Sequence, residues 1–280
     1  MVSPLSAVSS PFTYVSEVFS SYRDPRTQGW GFTADARFVF PLLVGYVYFA
    51  KFAGPRWMKD RKPHDLKGAV LLYNALTVLA NAYFAVRLLS LTYLGGEYNL
   101  FCQGINYRSP TETDMTILRL AWWYSFVRVA DFMDTVFFVL RKKNAQITFL
   151  HVIHHFLVVF SGWLFLNLGG DGHPIFGVCV NAIVHVIMYS YYFLAAIGPQ
   201  MQKYLWWKRY LTELQIAQFV GLMMHMAITL FYDCGYPRYL TLIALPQGCL
   251  GLGLFINFYI KSYRAQRRVV VNPGKDRKER

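Results

Sequence analysis

Charge is scarce in this chain. Only 15% of its 280 residues are charged, against about 25% in an ordinary soluble domain. Acidic residues are scarcer still, 15 against 28 Lys and Arg, giving a formal net charge of +13. A disordered chain, a collagen-like chain and a nucleic-acid module living on its charge are all excluded. Cysteine is limited to four residues, and no Asn-x-Ser/Thr sequon occurs. No internal repeat and no second domain can be found. Residues 1–20 lack the charged n-region and apolar core of a secretory signal peptide, so the first apolar run is expected to serve as the insertion signal.

What the chain does have is apolar length. Hydrophobic residues make up 55% of it and aromatics 18%. A membrane-spanning helix needs about 20 mostly apolar residues. Seven such stretches fit, at roughly 37–54, 68–94, 117–140, 148–168, 174–197, 205–232 and 238–260. They are too long for barrel strands and lack strict alternation. In lipid every backbone amide must be satisfied within its segment, which leaves helices. The expected organisation is a polar N-terminal segment, 1–36, a seven-helix domain, 37–260, and a basic, disordered tail, 261–280.

The basic residues fall on alternate connections. Lys51, Arg56, Lys59, Arg61, Lys62 and Lys67 follow the first stretch, and Arg141, Lys142 and Lys143 the third. Lys203, Lys208 and Arg209 surround the fifth connection, and the tail carries eight more. The other connections hold few. This is the positive-inside pattern. It places the C-terminus in the cytosol and, with seven spans, the N-terminus on the far side. Cys102 and Cys234 both fall in far-side connections. They are expected to form a disulfide if that side is oxidising.

Ionisable residues inside membrane spans are costly, about 2.5–3.5 kcal/mol each for Arg, Lys or Asp on insertion scales. The third stretch nevertheless holds Arg128, Asp131 and Asp134. The fourth holds His151, His154 and His155, spaced i, i+3, i+4 on one helical face. In the fifth, Asn181, His185, Met188, Tyr189 and Tyr192 form one stripe. In the sixth, Thr212, Gln215 and Gln218 step by three. These residues are expected to face a common cavity. Arg128 and Asp131 are spaced for an ion pair, which leaves Asp134 to accept from an imidazole and fix its tautomer. Neutral imidazole is competent as a nucleophile toward thioesters and as a general base. Three other readings stand beside this: a polar network that only specifies helix packing, a histidine-box di-iron desaturase or hydroxylase, and a seven-helix receptor or transporter. No second His-x-x-His-His supplies the ligands a di-iron centre needs, and no paired broken spans mark a transporter. His225 stands apart and is expected to make a packing hydrogen bond. His64 and His173 are expected to be solvated.

The run Leu140-Arg-Lys-Lys-Asn-Ala-Gln-Ile-Thr-Phe-Leu-His-Val-Ile-His-His155 resembles the histidine box of the very-long-chain fatty-acid elongases. Asn181-Ala-Ile-Val-His185-Val-Ile-Met-Tyr-Ser-Tyr-Tyr192 is similar to that family's second signature, and Thr212-Glu-Leu-Gln215-Ile-Ala-Gln218 to its third. Asn74 and Arg61-Lys-Pro63 are also family-like. The resemblance runs from about Asp24 to Tyr263. One motif departs: the usual Lys-x-x-Glu-x-x-Asp-Thr reads Arg128-x-x-Asp131-x-x-Asp134-Thr135 here.

The resemblance implies an all-α endoplasmic-reticulum protein of seven helices, six forming a barrel around an acyl tunnel. It implies condensation of a long acyl-CoA with malonyl-CoA to give 3-oxoacyl-CoA, CO2 and CoA. His154 matches the acyl acceptor of the box and His185 its partner across the cavity, with His151, His155, Asp134, Asp131 and Arg128 around them. Asn181, Tyr189 and Gln218 are candidate donors to an enolate oxygen, with Tyr192 and Gln215 beside them. Arg141, Lys142, Lys143 and Lys208 are candidates for the CoA phosphates. No metal or redox cofactor is implied. Implied partners are membrane lipid and the reductase, dehydratase and enoyl reductase of the elongation cycle; no nucleic acid is implied, and a homo-oligomer is compatible. The terminal Lys275-Asp-Arg-Lys-Glu-Arg280 loosely resembles a dilysine retrieval signal.

Overall fold

The computed structural model describes residue 17 and residues 19–264; most of the expected basic tail, with its retrieval-like end, lies outside the described residues. Among those residues there is helix and no strand. Six helices are long and apolar enough to cross a membrane. They are α1 (Ala36–Met58), α2 (Lys67–Leu91), α5 (Phe149–Leu168), α6 (Pro174–Ile197), α7 (Lys208–Phe231) and α8 (Arg238–Tyr263).

The expected third span is not one rod. It consists of α3 (Glu112–Ala130) and α4 (Phe132–Leu140), separated at Asp131. Among the described residues, six of the seven expected spans are thus long apolar helices, and the third is a broken, charge-bearing segment. At the break Arg128 pairs with Asp131, while the Asp134 carboxylate is engaged by Tyr189 of α6. The amide of Asp134 bonds the Asp131 carbonyl three residues back, at 3.2 Å, a tighter 3₁₀-type link.

Neighbour relations close a ring. Helix α2 packs on α6, α6 on α7, α7 on α8, α8 on α5, α5 on α3, and α3 on α2. Helix α1 lies outside the ring against α5, and its far end packs on α4. A π-helical segment, Phe49–Ala53, interrupts α1 just before Pro55. A proline ring clashes with the carbonyl four residues back, and widening that turn accommodates it.

Helix α2 shows why a ring forms in lipid. Leu72, Leu76, Leu79, Tyr83 and Val86 recur at steps of three and four, and each is more than half exposed. Asn74, Thr77, Asn81, Ala85 and Leu88 follow the same period on the opposite side, and all are buried. The apolar stripe faces outward and the polar stripe inward, the reverse of a soluble bundle.

The basic connections all lie at one end of the ring. The opposite end is tied together. Cys102, in the α2–α3 connection, is bonded to Cys234, in the α7–α8 connection. Arg26 is gripped by Asp24 (2.8 Å) and Asp171 (2.7 Å), all three buried. Burial raises the pKa of the Asp171 carboxyl and the Arg26 guanidinium opposes that rise. Thr27 donates to the Leu166 carbonyl and Tyr107 to that of Leu168, both at 2.7 Å. In its described part the N-terminal segment is thus packed into the helical body. Gly172 takes φ +71° in the α5–α6 turn, and a Cβ there would lie 2.8 Å from the Gly104 carbonyl oxygen. Only glycine suits both demands.

His173, expected to be solvated, is buried in this end. Its ring stacks on His225 at 4.1 Å, and its Nε2 lies 2.9 Å from the His225 carbonyl oxygen. Burial lowers its pKa to about 4, so it is neutral at neutral pH. His225 makes a packing bond of the kind expected, to the Leu100 carbonyl at 2.8 Å.

Candidate active site

The ring encloses a cavity of about 840 Å³. Its walls come from α2, α4, α5, α6, α7 and α8, and it reaches from the basic end down to the histidines. His151, His154, His155, His185, Asp134, Asn181, Tyr192, Gln215 and Gln218 all line it. Residues from four sequence motifs, separated by up to 84 positions, therefore meet at one place.

Thr148 sets the histidine face. It is the N-cap of α5, and its hydroxyl accepts from the His151 amide at 3.1 Å. A hydroxyl cap fixes where the helix starts. The i, i+3, i+4 triplet then falls in the first two turns, facing inward.

The four histidines differ in their partners. His151 Nε2 lies 2.8 Å from Thr135 Oγ1, and Thr135 Oγ1 lies 3.1 Å from the Tyr46 hydroxyl. His155 makes no hydrogen bond among the described residues; its ring is packed by His151 at 4.5 Å, Phe132 at 6.3 Å and Tyr46 at 6.4 Å. His154 also makes none, and its ring neighbours are His155 and Phe255 at 5.6 and 5.7 Å. His185 is buried, with Nδ1 2.7 Å and Nε2 3.2 Å from Arg128 Nη1. A guanidinium has only donors. The ring edge that faces Nη1 therefore has to offer it a lone pair, and Nδ1, the nearer nitrogen, is the better placed to do so.

Arg128 and Asp131 form a buried pair at 3.2 Å. Neither lines the cavity; they stand behind His185. Buried charges need partners, because an unpaired one is very costly. Arg128 Nη2 finds a further one in Asn81 Oδ1 at 2.8 Å.

Asp134 does not accept from an imidazole. Its Oδ2 accepts from the Tyr189 hydroxyl of α6 at 2.6 Å. That use of its hydroxyl, together with full burial outside the cavity lining, removes Tyr189 from the set of cavity donors. Asn181 and Gln218 remain. Their side-chain amides line the cavity with no hydrogen-bond partner among the described residues. Gln215 is engaged with Met188 Sδ at 3.3 Å.

Arg141, Lys143 and Lys208 line the cavity. Partial burial, and then Arg141, lowers the pKa of Lys143. Lys142 is not among them: its ammonium donates to the Lys59 carbonyl at 2.8 Å. Sequence reading missed Asn81, Tyr124 and Tyr46, which nothing local marks, and gave no role to Thr135, although it closes the Arg128-x-x-Asp131-x-x-Asp134-Thr135 motif. Among the described residues no three His, Cys, Asp or Glu side chains are arranged to hold one metal ion.

Comparison with known proteins agrees over most of the chain. A family model described as "ELO: GNS1/SUR4 family" matches residues 32–270. A very long chain fatty acid elongase of Aedes aegypti is 40% identical over 247 residues, 88% of this chain and 69% of that protein. Very long chain fatty acid elongase 5 of Mus musculus is 39% identical over 247 residues, 88% of this chain and 81% of that protein. Very long chain fatty acid elongase 4 of Homo sapiens is 37% identical over 248 residues, 89% of this chain and 78% of that protein.

Proposed function

Since this chain belongs to the ELO (GNS1/SUR4) family, we propose that it is the condensing enzyme of fatty-acid elongation. It joins a long-chain acyl-CoA to malonyl-CoA and releases 3-oxoacyl-CoA, CO2 and CoA. The observation that carries this reading is the convergence of the α5 histidines and His185 on one cavity opening at the basic end. The membrane is that of the endoplasmic reticulum, with the basic end in the cytosol and the disulfide end in the lumen. The alternation of basic connections supports that orientation.

The acyl-CoA enters from the cytosolic end, where Arg141, Lys143 and Lys208 meet its phosphates. His154 is the nucleophile: like His155 it reaches the cavity with no protein hydrogen bond on its ring, and of the two it is the one that matches the acyl acceptor of the elongase histidine box. It attacks the thioester carbonyl, the carbon–sulfur bond breaks, and the imidazole proton leaves with CoA as its thiol. The acyl group stays on the ring nitrogen. Malonyl-CoA then loses CO2, and its enolate carbon attacks the acyl carbon. The acyl–nitrogen bond breaks, and the departing imidazolide takes up a proton from solvent, the one proton the overall condensation consumes, which returns His154 to its neutral form.

Three groups stabilise developing oxyanions. His185 donates through Nε2–H, and Asn181 and Gln218 through their free amides. Arg128 acts from behind by holding His185 as a donor rather than a base. The ring excludes bulk water, which would hydrolyse an acyl-imidazole and quench an enolate. The test is direct: purified protein in proteoliposomes receives a long-chain acyl-CoA and labelled malonyl-CoA. Label in 3-oxoacyl-CoA is expected, and its absence under all acyl lengths would overturn the assignment.

A further inference from the structure

We propose that Asn81 and Tyr124 are positioning residues for His185, acting through Arg128. The proposal rests on the reading of His185 as an oxyanion donor. Neither residue lies in a motif, and neither touches the cavity.

Asn81 is fully buried on the inward stripe of α2. Its Nδ2 donates to the Thr77 carbonyl at 2.8 Å, which fixes the amide orientation. Its Oδ1 then accepts twice: from Arg128 Nη2 at 2.8 Å and from the Tyr124 hydroxyl at 3.0 Å. Both lone pairs are thus used. Tyr124 also lies face-on to the guanidinium, with Arg128 Cζ 4.6 Å from its ring centroid.

The guanidinium needs these two contacts. Its Nε has no partner, so the plane of the fork is not fixed from the stem. Asp131 holds only Nη1, the same nitrogen that faces His185. Among the described residues Asn81 alone holds Nη2, and the Tyr124 ring sets the tilt. A chain of contacts therefore runs Thr77–Asn81–Arg128–His185 across three adjacent members of the ring, α2, α3 and α6. If Asn81 is lost, the planar fork can rotate about Cδ–Nε, Nη1 swings away from Nδ1, and the His185 proton is free to move to Nδ1. The donor facing the cavity would then be lost in part of the population.

The test compares Asn81→Leu, Asn81→Asp and Tyr124→Phe in the full-length protein in proteoliposomes. Asn81→Leu is expected to lower kcat roughly tenfold, with KM for both substrates unchanged. Asn81→Asp keeps an acceptor for Nη2 and is expected to recover most of that loss. A merely structural role would not give this split or this rescue. In an Arg128→Met background, adding Asn81→Leu is expected to cost nothing more. Wild-type kcat for Asn81→Leu, or losses that multiply in the double variant, would overturn the proposal. Should Asn81→Leu not fold, Tyr124→Phe carries the test, with a several-fold fall in kcat expected and an unchanged kcat fatal. A readout independent of turnover is the ¹⁵N spectrum of His185. A single Nε2–H tautomer is expected in the wild type and a mixture in Asn81→Leu; identical spectra refute the positioning role even if the condensation chemistry proves different.

Discussion

Arg128→Lys keeps the charge and changes only its shape, so it isolates what the planar fork does. In the structure two different nitrogens are engaged. Nη1 meets His185 and Asp131, and Nη2 meets Asn81. A lysine ammonium is a single centre on a flexible stem and cannot occupy both places. At least one charge-assisted hydrogen bond is lost, about 1.5–3 kcal/mol. If that loss falls on the transition state, where His185 donates, turnover drops about 10- to 150-fold at 1.36 kcal/mol per tenfold. Because the buried carboxylate keeps a counter-charge, folding should survive, and thermal unfolding in detergent checks it. The assay is steady-state condensation in proteoliposomes at matched protein. Asp131 is one methylene shorter than the glutamate usual at this place in the family it resembles. The double variant Arg128→Lys, Asp131→Glu should therefore regain part of the loss, by returning the reach to the acid. Arg128→Lys within twofold of wild type would refute the reasoning.

Two further predictions concern the disulfide end. Cys102→Ser opens a cross-link spanning 132 residues, worth about 4–5 kcal/mol in the chain-entropy account; the unfolding temperature should fall by about 7–8 °C, and a reductant should mimic the variant. Asp171→Asn leaves the buried Arg26 guanidinium with one acid instead of two and should cost about 1.5–3 kcal/mol, read as a lower unfolding temperature, while condensation well below that temperature stays unchanged.

The helices themselves are legible because length and hydropathy are local properties. Five of the six long helices begin and end within a few residues of their expected bounds. The break at Asp131 is not, because a rod and a bent segment carry the same residues; the bend is decided by which partners Arg128 and Asp134 find on α2 and α6. The histidine triplet and the Asn181 stripe could be assigned to inner faces from their spacing alone. Their partners could not. Asp134 meets a phenol rather than an imidazole because Tyr189, 55 positions away on α6, packs against it, a tertiary event. Arg26 and Asp171 are 145 positions apart, and no period links them. His173 sits in a turn that reads as exposed, yet the α2–α3 connection, pinned by Cys102–Cys234, covers it.

The central claim is that His154 carries the acyl group between the two halves of the reaction, and intact-mass analysis after exposure to long-chain acyl-CoA alone tests it most directly. A mass increase of one acyl group, with free CoA released, absent from His154→Ala and discharged by malonyl-CoA, is the result expected. An unmodified chain that nonetheless turns over at full rate with both substrates would contradict it.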